Sequence, residues 1–127
     1  MSNKIILLSH AATILAVNDV VSSISFYQDK LGFTLTFSHG TPTDYAVLRR
    51  DETVHIHLTK KEENLPVGNQ ASMYIFVYDV DKLFNEFIHQ KVLMHEPLAN
   101  RDYGMRDFDV KDPDGHIITF GQGLNDN

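Results

Sequence analysis

The chain has 127 residues, 43% of them hydrophobic and 22% charged, with no cysteine. That length and balance fit one folded domain, residues 1–127, and exclude a disordered chain; the missing cysteines exclude disulfides and thiolate chemistry. A formal net charge of -6 excludes a broad phosphate-binding surface, so no nucleic-acid partner is expected and a neutral or cationic small molecule is.

The apolar opening Ile5 to Leu8 is too short for a membrane span of about 20 residues. Lys4 with a four-residue apolar run is also a poor secretory signal. No membrane association and a cytoplasmic location are expected.

Ala12 to Val17 is a short run rich in β-formers that ends at Asn18-Asp19, where a side-chain oxygen can cap a new helix. From there Val20, Ile24, Tyr27 and Leu31 recur at spacings of three and four, an amphipathic stripe, and Gly32 stands where a left-handed helix cap belongs. Phe33 to Phe37, Tyr45 to Arg49 and Val54 to Leu58 are predicted strands, separated by the turn-rich segments His39 to Asp44 and Arg50 to Thr53. The first half is therefore βαβββ, over about residues 5–59.

Residues 60–70 are polar, with Pro66 and Gly68, and predict a surface connection. The pattern then restarts: Val77-Tyr78-Asp79-Val80 repeats Val17-Asn18-Asp19-Val20 sixty residues later, and Leu83, Phe84, Phe87 and Ile88 form a second stripe. Glu96 to Ala99, Arg106 to Lys111 and His116 to Gln122 supply three more strands, with Asp112-Pro113-Asp114-Gly115 as a turn. Residues 71–124 thus form a second βαβββ module. The fold class is α+β: two modules in one domain, sheets curled around a cavity and helices on the outer faces.

Strand alternation assigns faces. With Leu15 and Val17 on a helix, Ala12, Ile14 and Ala16 face the cavity, as do His55 and His57, Ser72, Tyr74 and Phe76, Asp107 and Asp109, and Ile117 and Thr119.

The stretches from Asn18-Asp19 through Phe26-Tyr27 to Leu31-Gly32-Phe33, and Asp112-Pro113-Asp114-Gly115-His116, resemble the two signatures of the vicinal-oxygen-chelate superfamily. It includes glyoxalase I, extradiol dioxygenases, fosfomycin-resistance enzymes and bleomycin-resistance proteins. Tyr103-Gly104-Met105-Arg106-Asp107-Phe108 is similar to a segment of the bleomycin-resistance branch. Metalloenzymes of the superfamily hold a divalent ion on four cavity-facing residues, and the resemblance puts those positions at Ala12, His57, Ser72 and Thr119. Only His57 is a good ligand there, whereas a catalytic site needs about three N or O ligands. No cofactor, no metal and no catalytic residue is expected.

The resemblance implies a homodimer that sequesters a bleomycin-type drug or an unknown metabolite. The expected ligand-binding residues are Phe37, Tyr45, His55, His57, Tyr74, Tyr103, Arg106 and Asp107. Plain core explains Phe37 and Phe76 equally well, and cross-sheet pairing explains Arg106 and Asp107 equally well. Tyr103 lies in a loop beside Gly104, the setting of an exposed stacking ring. Asp107 and Asp109 are expected to attract a cationic ligand. The alternative is a metal-dependent lyase or dioxygenase of the glyoxalase type, using His57 with His10 or His55. No Gly-rich phosphate loop, GxSxG or basic stripe occurs.

Overall fold

The computed structural model describes residues 4–63 and 70–125. Eight strands and two helices follow one another as two βαβββ units. The first contains β1 (Ala12–Val17), α1 (Val20–Ser25), a π-helical stretch (Phe26–Lys30), β2 (Thr34–His39), β3 (Tyr45–Arg50) and β4 (Val54–Lys60). The second contains β5 (Ser72–Phe76), α2 (Val80–His89), β6 (Met94–Asn100), β7 (Met105–Lys111) and β8 (Ile117–Gly123). Of the expected connection over residues 60–70, Lys60 ends β4, and residues 64–69 lie outside the described residues.

The sheets are built alike, in the orders β1-β4-β3-β2 and β5-β8-β7-β6, with the first pair parallel and the rest antiparallel. A helix between β1 and β2 lets β4 return beside β1, as parallel pairing requires a crossover. The two sheets stay open and do not close on one another. Their helix-side residues, among them Leu15, Val17, Leu48, Ile56, Leu58, Phe108, Val110, Ile118 and Phe120, form one core with Tyr27, Leu31 and Phe87.

Both helices start as the sequence predicts. Asp19 accepts from Ser22 N–H and Asp79 from Lys82 N–H, each at 3.1 Å, satisfying a backbone donor that the first turn leaves free. Past Ser25 the first helix widens into the π-helical stretch, a departure from the uniform helix that the spacing predicts. Gly32 then ends it at φ +77°, where a Cβ would meet Arg50 Nη1 at 2.8 Å. That Arg50 nitrogen donates to Leu31 O at 2.7 Å, and its guanidinium grips Glu86 of α2 at 2.7 and 2.8 Å. Phe33 turns into the core after the cap, so β2 begins one residue later than predicted. In α2, Ile88 is exposed rather than part of the packed stripe.

The Asp112 turn ties the units together. Asp112 Oδ1 accepts from the N–H groups of Asp114 and His116, both at 2.9 Å. Asp114 Oδ1 accepts from Asn18 N–H at 2.8 Å. Buried His116 accepts from Ala71 N–H through Nδ1 at 2.8 Å and donates through Nε2 to Ala16 O at 2.7 Å. Among the described residues no helix is long and apolar enough to cross a membrane.

Candidate functional site

The sequence-predicted residues divide between the two sheets, on the faces turned away from the helices. On the first sheet the register sets Ile14, His57, Val47 and Phe37 in one row across β1, β4, β3 and β2. Tyr45 stands diagonally beside His57, with Oη 2.6 Å from Nδ1 and the rings edge to face. His55 donates from Nε2 to Glu52 O at 3.1 Å, and its ring stacks on His10 with centroids 4.0 Å apart. Phe37, 55% exposed, borders a shallow recess with His39, Asp44, Tyr45, Thr59 and Lys60.

On the second sheet two rows matter. Tyr74, Thr119, Asp109 and Glu96 form one, and Phe76, Gly121, Asp107 and Ala99 the next. Asp107 is 2% exposed, so its carboxylate must be fully partnered to stay charged. Its Oδ2 accepts from Tyr74 Oη at 2.8 Å and Tyr103 Oη at 2.7 Å, and its Oδ1 from Arg101 Nε at 2.8 Å. Arg101 Nη2 adds bonds to Pro97 O and Asp107 O.

Burial alone would raise the Asp107 pKa. Hydrogen bonds from Tyr103, Arg101 and Tyr74, with the Arg101 charge, outweigh burial and hold the carboxyl below its usual range. The same contacts act in reverse on the phenols. Burial, then the bond to Asp107, pushes Tyr74 well above an ordinary tyrosine, while for Tyr103 the bond to Asp107 comes first. Both hydroxyls therefore stay protonated as donors at neutral pH. Tyr103 as a residue is nevertheless 61% exposed.

Three of these placements bear on the sequence reading. Arg106 does not share this face: its neighbour Asp107 stands in the row with Gly121 and Phe76, and the Arg106 guanidinium forks onto Asp81 in the first turn of α2 at 2.8 and 3.2 Å. The Asp107 carboxylate is buried and taken up by Tyr74, Tyr103 and Arg101. Asp109, half-buried and accepting from Thr119 Oγ1 at 2.6 Å, and exposed Glu96 are the further carboxylates on that face. The third concerns the cleft: the histidine-bearing face and the tyrosine-bearing face belong to different sheets. A cavity of about 150 Å³ between the modules is lined by Phe33, Val54, Ile75 and Phe120, among others, and by none of the eight expected binding residues. Sequence reasoning missed Arg101 and Gly121 altogether.

The four positions where the family's metalloenzymes hold an ion do not fit one here. Ala12 has no donor atom, Ser72 and Thr119 offer hydroxyls, and His57 Nδ1 is taken up with Tyr45. The His10 and His55 rings stack on one another, with His10 Nδ1 2.7 Å from Ser9 Oγ and His55 Nε2 bonded to Glu52 O. Among the described residues no three His, Cys, Asp or Glu side chains gather.

Paired βαβββ modules, each with an open sheet face bearing rings and polar groups, define the class: an α+β protein of the vicinal-oxygen-chelate type. The chain belongs to the Glyoxalase/Bleomycin resistance protein/Dioxygenase superfamily, whose family model matches residues 7–120. Bleomycin resistance proteins of Geobacillus stearothermophilus and Staphylococcus aureus are each 34% identical to it, over 87% of this chain and 93% of theirs. Among solved structures, the bleomycin-binding protein of Streptomyces verticillus, complexed with copper(II)-bleomycin, superposes with a TM-score of 0.76 at 27% identity, over 94% of this chain and 99% of that one. TioX from Micromonospora sp. ML1 shares the fold, with a TM-score of 0.77 at 23% identity over 91% and 99% of the two chains.

Proposed function

We propose that this protein binds a flat, partly cationic small molecule, a bleomycin-type glycopeptide first among candidates, and sequesters it without transforming it. The observation that carries this reading is Tyr103, a largely exposed residue whose hydroxyl is fixed on buried Asp107. A ring held by its polar end on a largely exposed residue is suited to stacking, at about 1 kcal/mol for each aromatic pair. Tyr74 is held on the same carboxylate and tilts against exposed Phe76, their centroids 5.1 Å apart. Net charge of -6 favours cations over anions around the cleft. The resistance proteins at 34% identity, and the copper(II)-bleomycin complex of a relative, support the same ligand class.

The donor-poor set Ala12, Ser72 and Thr119 supports a metal-independent role. The protein as isolated should therefore carry no stoichiometric transition metal by elemental analysis. One ion per chain, lost on His57→Ala, would restore the lyase or dioxygenase alternative.

We also propose a homodimer, because the two candidate faces lie on separate sheets and a second copy could bring unlike faces together. Light scattering at tens of micromolar should give twice the chain mass, and a monomer would confine binding to one face. Calorimetric titration with bleomycin tests the sequestration itself. Measurable heat and a raised melting temperature are expected. The absence of both at submillimolar drug would overturn this reading in favour of a metabolite ligand.

A further inference from the structure

We infer that Arg101 and Gly121 are positioning residues that convert Asp107 from a ligand-binding charge into the anchor of a rigid two-tyrosine wall, a subsite for an uncharged planar ring. The inference rests on the sequestration reading for its ligand and on geometry alone for the wall.

Tyr74 and Asp107 are on strands that do not touch: β8 runs between β5 and β7. The phenol must therefore cross β8, and it does so over Gly121, which pairs with Phe76 on one side and Asp107 on the other. A Cβ at Gly121 would lie 1.9 Å from Tyr74 Oη and 2.6 Å from Cζ. Any other residue there would push Tyr74 off the carboxylate. The bare backbone at position 121 is thus what lets two tyrosines from different segments, β5 and the β6–β7 loop, converge on one oxygen of Asp107.

A carboxylate that is 2% exposed also needs a counter-charge. Arg101 supplies it through a 2.8 Å contact and spans the hairpin base to Pro97 O. The loop that carries Arg101 is closed by Arg101 N–H on Met105 O at 2.7 Å and Gly104 N–H on Arg101 O at 3.2 Å. Arg101 and Tyr103 thus reach Asp107 from one tight loop, charge on one oxygen and phenol on the other. With the negative charge matched inside the protein, the exposed ring faces present a neutral aromatic surface. A ligand's ring stacks there, while its cationic group is left to the carboxylates one row away, Asp109 and exposed Glu96.

The test uses the whole protein with tyrosine and aspartate carbons labelled for NMR, and metal-free bleomycin as the probe. In Arg101→Met the ring signals of both Tyr74 and Tyr103 should shift and broaden, and Asp107 should titrate at a higher pH than in wild type. Arg101→Lys should restore most of both, since it keeps the charge though not the fork. Gly121→Ala should move Tyr74 and leave Tyr103 in place. Bleomycin affinity should fall about tenfold in Arg101→Met, with dissociation changing more than association, because loosened rings must be ordered on binding.

Ring signals and an Asp107 titration unchanged from wild type in Arg101→Met and Gly121→Ala would overturn the inference. So would disrupted rings with undiminished affinity. If Arg101→Met does not fold, Gly121→Ala and Arg101→Lys decide on the same signals. If wild type binds no bleomycin while the ring signals behave as stated, the sequestration reading fails and the tyrosine wall stands.

Discussion

Tyr27 Oη donates a 2.8 Å hydrogen bond to Asp112 Oδ2, joining the π-helical stretch of the first module to the β7–β8 turn of the second. Both side chains are buried, Tyr27 completely. Burial first, then the charge of Asp112, raises the phenol far above an ordinary tyrosine, so it remains a donor throughout the stable pH range. Tyr27→Phe keeps the packing and removes the donor to a buried carboxylate. A bond to a charged group is worth about 1.5 to 3 kcal/mol, so urea denaturation should show a loss of about 2 kcal/mol. A loss below about 0.5 kcal/mol would mean that the Tyr27–Asp112 bond does not help to hold the modules together.

The β3–β4 connection is a strained turn that sequence can relieve. Asp51 and Glu52 have φ of 52° and 66°, the left-handed region that costs an ordinary residue about 1 to 2 kcal/mol. Hairpins with two such residues favour Asn-Gly or Asp-Gly. Glu52→Gly keeps the Glu52 carbonyl that accepts from His55. After the extra flexibility glycine brings to the unfolded chain, a gain of about 0.5 to 1 kcal/mol remains. The melting temperature should rise by a few degrees. A fall would show that the turn is not under strain.

Much of this architecture was legible because it rests on local rules. The caps at Asp19 and Asp79 and the strand β1 sit where the sequence predicts, since each depends on residues within four positions. The face assignments for His57 and Tyr74 follow from period-two alternation, and the burial patterns alternate accordingly; Asp107 and Phe108 are both buried, and the Asp107 face is read from its row with Gly121 and Phe76 instead. That same alternation bars Arg106 from the face of its neighbour Asp107. The expectation for Arg106 followed the segment resemblance and set parity aside. Arg101 and Gly121 were hidden for another reason. Arg101 precedes its strand and meets Asp107 only when the loop closes, and Gly121 matters only because a side chain from two strands away passes over it. The burial of Asp107, which calls for a counter-charge, is itself visible only in the folded chain.

Acid should unfold the protein partly through Asp107. Its folded-state pKa lies below the ordinary value despite burial, through the bonds from Tyr103, Arg101 and Tyr74; the unfolded carboxyl titrates near 3.9, roughly. Below that value the unfolded chain binds the extra proton, so stability rises with pH there. The contribution is fully present above the unfolded pKa and is lost as pH falls through the folded one. Wild type should therefore lose more stability than Asp107→Asn between about pH 5 and pH 3, a window set by that unfolded value. Asp81, lowered by its bond to Arg106, is exposed and adds little. Equal slopes for both proteins would place the acid sensitivity elsewhere.

Ligand binding should separate stacking from charge. Tyr103→Ala removes one ring face, worth about 1 kcal/mol, and should weaken bleomycin by tenfold or somewhat less, since about 1.4 kcal/mol is tenfold. The loss should be the same at low and high salt, because stacking is not screened. Asp109→Asn should instead cost affinity mainly at low salt and flatten the salt dependence, because a half-buried carboxylate near solvent acts through a screened field. Asp107, matched by Arg101 at 2.8 Å, presents no such field to a ligand. Asp107→Asn should therefore lower affinity through loosened tyrosines while leaving the salt slope of wild type in place. Calorimetry at two salt concentrations on the three variants distinguishes these patterns. A flattened slope in Asp107→Asn with an unchanged slope in Asp109→Asn would reverse the roles of the two carboxylates.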